Sequence, residues 1–102
     1  MIHVIATIEL APGARDAFAD EFRRLAPLVR AENGCIEYEG AADVQTSIAA
    51  QAPVRDDVFT VIEKWESELA LSAHLDAQHM HEHRNRVRDL VTRTIIHVLR
   101  PA

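Results

Sequence analysis

Side chains able to move a proton at neutral pH are concentrated in one stretch of the sequence, from Glu63 to His83. Four of the six histidines fall within ten residues, namely His74, His79, His81 and His83. Histidine titrates near neutral pH, so it can take a proton from a substrate and later return it. His74 shares one predicted helix face with Leu71 and Leu75, and we therefore expect it to point inward, as a core or a pocket residue.

The remaining candidate site residues flank these histidines. His79 follows a predicted break in the helix, at a rim where a pocket can open. Glu63 and Trp65 are two residues apart and face the same side of a predicted strand, where a buried glutamate is costly unless it is paired or functional. Trp65 and Tyr38 are the only residues of their kinds. Each either packs in the core or forms a wall for a flat, apolar ligand.

Other chemistries have less support in the sequence. His79 and His83 lie four residues apart and resemble a zinc-binding pair, but Met80 stands where zinc-protease helices carry their glutamate. No third ligand is evident, so we predict no metal. The single cysteine, Cys35, excludes an intrachain disulfide and is expected in the core. A basic cluster is interpreted as solvated surface; it comprises Arg84, Arg86, Arg88 and Arg93.

Composition limits the class of protein. The chain has 102 residues, of which 48% are hydrophobic and 26% charged, as expected for a single domain over residues 1–102. Sixteen acidic and 11 basic side chains give a net charge of −5, which argues against a nucleic-acid partner. No signal peptide is visible, and no apolar run approaches the roughly 20 residues of a membrane span. We therefore expect a cytoplasmic protein without a membrane partner.

Hydrophobic periodicity predicts four strands and three helices. Alternation predicts strands at residues 2–10, 35–40, 58–65 and 94–99, with a long loop at 41–57. The first helix is predicted to begin at Ala14, to kink or restart at Pro27 and to stop at Asn33-Gly34. Ser67 is a suitable N-cap for the second helix. After a break at residues 76–78, the third helix has Met80, Val87, Leu90 and Val91 as its apolar stripe.

The resulting order, β-α-β-β-α-α-β, predicts an α+β protein of the ferredoxin-like, split βαβ type with an antiparallel sheet. The helices can cover one face of that sheet. The other face also carries apolar residues, namely Ile5 and either Ile95 and Leu99 or Ile96 and Val98. A second apolar face needs a covering layer, so we predict a homodimer packed sheet on sheet.

The segment Ile62–Ser67, followed by Ala70-Leu71, Ala73–Leu75 and His79-Met80, closely resembles the antibiotic biosynthesis monooxygenase superfamily, and its small bacterial quinol monooxygenases in particular. Weaker matches extend over essentially the whole chain, and they include Pro12-Gly13, Glu32-x-Gly34-Cys35 with Tyr38, and Leu99-x-Pro101. The resemblance implies a dimeric α/β barrel. It also implies oxidation of a quinol or polycyclic phenol by dioxygen, with no flavin, haem or metal cofactor.

On that resemblance, His74 or His79 accepts the phenolic proton and Trp65 lines the pocket and orients the ring. The expected substrate contacts are Tyr38, Glu63, Leu71, Met80 and His83. The haem-degrading relatives carry an asparagine in the first strand, where this chain has Ala6-Thr7, so haem cleavage is not predicted.

Two further functions fit the same residues. One is an isomerase or other proton-transfer enzyme that acts on a small, phosphorylated or unphosphorylated carbonyl compound. The other is a non-catalytic dimer that binds an apolar metabolite, in which a backbone carbonyl would hold His74 or His79. A flat aromatic pocket favours the oxygenase, whereas a polar pocket reached by arginines favours a phosphorylated substrate.

Overall fold

A computed structural model describes all 102 residues, which form a four-stranded antiparallel sheet and three helices. The elements in chain order are β1 (Ile2–Leu10), α1 (Arg15–Arg30), β2 (Cys35–Ala41), β3 (Val58–Trp65), α2 (Glu68–Leu75), α3 (Gln78–Val87) and β4 (Val91–Leu99). This order confirms the predicted α+β, ferredoxin-like fold. None of the helices combines the length and the apolar character needed to cross a membrane.

The strands lie in the order β2-β3-β1-β4, and their register separates an inner face from an outer face. Val4 opposes Glu63, and Glu63 opposes Tyr38 on β2, so these three side chains share the inner face. The helices pack on this face, and the largest fully buried side chains, Trp65 and Phe18, lie between the two layers. Glu63 is therefore placed on the core side by strand register alone.

Helix α1 supplies most of the apolar cover of the sheet. Phe18, Phe22, Leu25 and Val29 are all buried, as their spacing predicts. The helix continues through Pro27 to Arg30, so the predicted restart does not occur. Proline has no N–H, so the carbonyl of Arg23, four residues earlier, loses its helical hydrogen bond. Because Arg23 and Pro27 are both exposed, water can solvate that carbonyl, which lowers the cost of the proline.

Leu90 and Val91 were predicted to belong to the third helix, and the structure shows that this prediction is wrong. Helix α3 ends at Val87, and Leu90 closes a turn by donating its N–H to the Val87 carbonyl at 2.8 Å. Val91 then begins β4 beside Leu10, three residues before the predicted start at Thr94. Two adjacent apolar residues fit a helix stripe and a strand start equally well, so periodicity did not separate them.

Residues 42–57 form the predicted long connection between β2 and β3. The Arg55 guanidinium donates two hydrogen bonds of 2.9 Å to the Asp43 carboxylate. These bonds lower the pKa of Asp43 to about 2. The two ends of the loop are therefore held together by a charged pair.

The outer face of the sheet carries no helix. Ile5 opposes Ile62 on this face, and Ile95 and Leu99 follow on β4. Ile96 and Val98 instead oppose Ala6 and Val4 on the inner side, which resolves the alternative left open by the sequence. Leu99 is 48% exposed and Ile62 36% exposed in the single chain. The sheet-on-sheet homodimer stays a prediction that this apolar outer face motivates.

Candidate functional site

A cavity of about 410 Å³ opens between the inner face of the sheet and the helices. Its volume lies within the roughly 300–1,000 Å³ typical of small-molecule sites. Its walls are mainly apolar, and the polar side chains Tyr38, Glu63, His74, His83, Arg84, Arg88 and Thr94 are set among them. The apolar residues that face it include Phe18, Phe22, Val61, Leu75, Met80 and Val87. Such a lining suits an apolar ring with a small number of directed polar contacts.

Glu63 projects from β3 into this cavity although it is only 6% exposed. Burial, and to a lesser extent the nearby negative charge of Glu32, raise the pKa of the Glu63 carboxyl to about 7. The Trp65 indole N–H opposes this shift by donating a 2.9 Å hydrogen bond to Glu63 Oε1. Near neutral pH both the acid and the carboxylate are therefore populated, so Glu63 can give or take a proton.

His74 reaches the same end of the cavity from α2. Ser67 caps this helix by accepting the Ala70 N–H at 3.1 Å, which fixes its start and sets Leu71 and His74 on the buried side. The imidazole is 1% exposed and lies against Trp65, with ring centroids 4.6 Å apart. Burial lowers the pKa of His74, although Glu32 acts in the opposite direction. The ring is therefore a neutral base at neutral pH.

Glu32 ties two histidines together. It lies in the turn after α1, and its Oε2 is 2.8 Å from His74 Nδ1 and 2.7 Å from His79 Nε2. A carboxylate only accepts hydrogen bonds, so both ring nitrogens donate to it. His74 then carries its proton on Nδ1 and leaves Nε2 as the acceptor. That nitrogen is 4.0 Å from Glu63 Oε1.

Four more of the predicted site residues have distinct positions. Tyr38 and Met80 line the cavity, and the Tyr38 ring lies edge-on to His74 with centroids 5.6 Å apart. Burial raises the pKa of the Tyr38 phenol, which stays neutral. His83 also lines the cavity, lies edge-on to Phe18, and has its pKa lowered by burial. Leu71 is buried in the core and does not line the cavity.

Trp65 and His79 also lie outside the cavity lining. Trp65 is fully buried and touches the site through Glu63 and His74. The His79 side chain is 23% exposed and is held by Glu32. The structure thus places both beside the residues that face a ligand, and neither faces the ligand space directly.

The hypotheses of a metal site and of a passive binder can be compared with this geometry. Nowhere in the chain do three histidine, cysteine or acidic side chains converge in a way that would hold a metal ion. His79 bonds to Glu32, and His83 packs on Phe18. In a non-catalytic dimer that only binds a metabolite, a backbone carbonyl was expected to hold His74 or His79. The partner of both His74 and His79 is a carboxylate.

Sequence reasoning missed Glu32, Arg84 and Arg88 as site residues. Glu32 is 42 residues from His74 along the chain, so no local spacing relates them. The arginines had a usable signal, because residues four apart on a helix share a face. That face was expected to be solvated, and the structure shows that both of these arginines border the cavity.

Comparison with known proteins identifies the family. The family model described as antibiotic biosynthesis monooxygenase matches residues 1–86. The chain therefore belongs to the antibiotic biosynthesis monooxygenase family. It is 35% identical over 103 aligned residues to the probable quinol monooxygenase YgiN of Escherichia coli K12, and the match covers 99% of this chain and 98% of that protein.

Solved structures agree with this assignment. PA3566 from Pseudomonas aeruginosa superposes with a TM-score of 0.79 at 30% identity, covering 99% of this chain and 94% of that chain. Rv0793 from Mycobacterium tuberculosis gives a TM-score of 0.78 at 27% identity, with coverage of 99% and 94%. The fold described above is thus shared along nearly the full length of these proteins.

Proposed function

We propose that this chain is a cofactor-independent monooxygenase that oxidises a quinol or a polycyclic phenol with dioxygen. The main support is the position of the neutral His74 in a mainly apolar cavity. Its Nε2, a hydrogen-bond acceptor, lies 4.0 Å from Glu63 Oε1. Membership of the family, and the likeness to the probable quinol monooxygenase YgiN, support the monooxygenase class. An electron-rich phenolate can itself reduce dioxygen. The protein then has to supply a dry cavity and a proton acceptor.

The first step is transfer of the substrate hydroxyl proton to His74 Nε2. Glu32 holds the ring through Nδ1–H at 2.8 Å and stabilises the imidazolium that forms, as a carboxylate does in other acid–base sites. The phenolate gives one electron to dioxygen, and the ring radical and superoxide combine into a C–O bond. The imidazolium returns its proton to the peroxide.

The second step cleaves the O–O bond. The proton on the ring carbon and the outer hydroxide leave together as water, and one oxygen atom stays on the ring. For 1,4-naphthoquinol the sum is quinol plus dioxygen giving 2-hydroxy-1,4-naphthoquinone plus water. Glu63 is assigned the ring-carbon proton, because its pKa of about 7 makes its carboxylate available as a base near neutral pH.

Trp65 acts in this scheme as a positioning residue. Its indole N–H fixes Glu63 Oε1 at 2.9 Å, and its ring supports the His74 imidazole. His79 has a similar position behind Glu32, which it binds at 2.7 Å. The direct proton acceptor in the proposal is therefore His74 and not His79.

Oxygen uptake by metal-stripped protein tests this function, with 1,4-dihydroxynaphthalene as substrate and a protein-free control for spontaneous oxidation. We expect uptake that chelator does not reduce, and a kcat/KM lower by about 100-fold or more in His74→Gln, because general bases contribute on this scale. His81→Gln is the matched control, since His81 is exposed and does not line the cavity. Equal uptake with and without protein, or full activity of His74→Gln, would overturn the proposal.

Proton transfer on a carbonyl compound is the second candidate, favoured by the same His74–Glu63 pair and by two arginines at the cavity. Anaerobic incubation with dihydroxyacetone phosphate in D₂O separates the two. Deuterium incorporation that requires His74 would favour the isomerase, whereas no incorporation together with oxygen uptake on the quinol favours the oxygenase.

A further inference from the structure

Two arginines at the cavity have no carboxylate partner. Arg84 and Arg88 are four residues apart at the end of α3, so their side chains share a face of the helix. Both line the cavity and both are exposed, which places them at its mouth. Arg84 donates to the Leu75 carbonyl at 2.9 Å. Neither arginine belongs to an ion pair, so the mouth carries two positive charges without a counter-charge.

These two arginines differ from most others in the chain. Six of the ten arginines form ion pairs, namely Arg23, Arg24, Arg30, Arg55, Arg86 and Arg93. Arg86 lies between the two at the mouth, yet it faces away from the cavity and pairs with Glu82 at 4.0 Å. In a chain with a net charge of −5, positive charge left unpaired beside a cavity is a local feature of that cavity. It attracts anions toward the opening.

The polar side chains of the cavity include a buried pair and an exposed pair, set in a mainly apolar lining. Glu63 and His74 are the buried pair, whereas Arg84 and Arg88 are exposed at the mouth. Most of the other lining side chains are apolar, and Phe18 and Phe22 are aromatic. An occupant that satisfies all three parts has a hydroxyl at one end, an aromatic ring system, and an anionic group at the other end.

We infer that the substrate is a phenol or quinol whose ring carries a carboxylate at the end remote from the reacting hydroxyl, with Arg84 and Arg88 binding that carboxylate. This inference rests on the proposed function for the orientation of the hydroxyl. Guanidinium groups bind carboxylates by charge-assisted, often bidentate hydrogen bonds. Such a contact at the mouth would hold the ring with its hydroxyl directed toward His74.

Calorimetric titration with 6-hydroxy-2-naphthoate and its methyl ester tests this inference. The two probes share the ring and the hydroxyl and differ in the charge of the remote group. We expect the wild-type protein to bind the acid more tightly than the ester by roughly 10-fold. Arg88→Gln should abolish most of that ratio. Arg88 is the cleaner variant, because it forms no hydrogen bond within the chain, whereas Arg84→Gln also removes the contact to Leu75.

Arg86→Gln is the matched control, because it removes an arginine from the same helix that does not line the cavity. The wild-type ratio should persist in this variant. Equal affinity of wild-type protein for acid and ester would overturn the inference, as would a ratio that Arg88→Gln leaves intact. Oxygen uptake on 1,4-dihydroxynaphthalene is scored separately. Tighter binding of the acid than of the ester without any oxygen uptake would contradict the proposed oxygenation. Oxygen uptake without tighter binding of the acid would contradict the carboxylate contact.

Discussion

Glu32 is close to its two histidines only in the folded chain. Its Oε2 accepts from His74 at 2.8 Å and from His79 at 2.7 Å, so one carboxylate oxygen fixes the tautomer of the proposed base. The charge and hydrogen bond of Glu32 raise the pKa of His74 against the larger lowering by burial. Glu32 therefore limits how far burial lowers the pKa of the proposed base.

Replacing Glu32 by glutamine tests this role. The pKa of His74 should fall, because the opposing effect of the carboxylate is removed. The acidic limb of the kcat/KM profile, which requires neutral His74, should move to lower pH. The plateau should drop by roughly 10-fold or more, as for other residues that orient a reacting group. Glu37→Gln is the control, since Glu37 pairs with Lys64 on the outer face. An unshifted limb would contradict the assignment.

Glu63 links the site to stability. Its pKa is raised from 4.5 to about 7, so between these values the folded chain holds a proton that the unfolded chain releases. Stability is therefore lost as pH rises from about 4.5 to about 7, and the total loss is about 3 kcal/mol. A buried acid that must ionise at neutral pH thus imposes a stability penalty at the site.

Glu63→Gln should remove this pH dependence, because glutamine stays neutral and can still accept from Trp65. The unfolding free energy of the variant minus that of the wild type should be about 3 kcal/mol larger at pH 8 than at pH 4. Urea titrations at one protein concentration measure the unfolding free energy at each pH, with Glu37→Gln as the control. Parallel pH curves for wild type and Glu63→Gln would refute the raised pKa.

At the scale of elements, the turn between α1 and β2 determines where Glu32 points. Gly34 has φ +86, and a Cβ added there would lie 2.6 Å from Ala70 Cβ on α2. The turn and α2 are therefore in close contact, and His74 lies on the same helix. A side chain at position 34 would separate the elements that carry the base and its carboxylate.

Gly34→Ala should destabilise the chain by at least about 2 kcal/mol, because backbone strain and a close contact with Ala70 act together. Gly13→Ala is a matched control. Gly13 also has positive φ, at +76, but its Cβ would meet nothing within 4 Å, so we expect about 1 kcal/mol. Thermal and urea unfolding of both variants measures the difference. Equal losses would show that the contact with α2 is unimportant.

The sequence predicted the elements better than it predicted the site. Alternation over Ile2–Leu10 and the stripe from Phe18 to Val29 reflect strong, local periods, and both elements form as expected. The boundary at Leu90 and Val91 was wrong, because a helix end and a strand start share the same apolar pair. His74 was expected to point inward, and it does. Its partner Glu32 was out of reach, because only the sheet register and the packing of α2 bring them together.

At the scale of the whole molecule, the outer face of the sheet is an apolar surface that no element of the chain covers. Ile62, Leu99 and Ile95 lie there without a helix above them. Burying them against a second copy would remove apolar area from water, which drives association. The predicted homodimer would use this face and leave the inner face, with its cavity, free for substrate.

Sedimentation at micromolar concentration checks the dimer. Ile62→Glu should weaken it by at least about 10-fold, because a charge would be placed in a buried interface. Leu28→Glu is the control, since Leu28 is similarly exposed, at 52%, but lies on α1. A monomeric wild-type protein would contradict the prediction, as would an equal effect of the two variants.

Trp65 is the only tryptophan in the chain, and it is fully buried against His74 and Glu63. Its fluorescence therefore comes from one known place and carries no background from other indoles. A protonated imidazole in contact with an indole quenches its emission. Glu63 also titrates beside the indole, because its carboxyl accepts the Trp65 N–H. In the unlabelled Glu63→Gln variant the intensity measured across a pH series would thus follow the charge of His74, and the proposed base can be titrated optically without substrate.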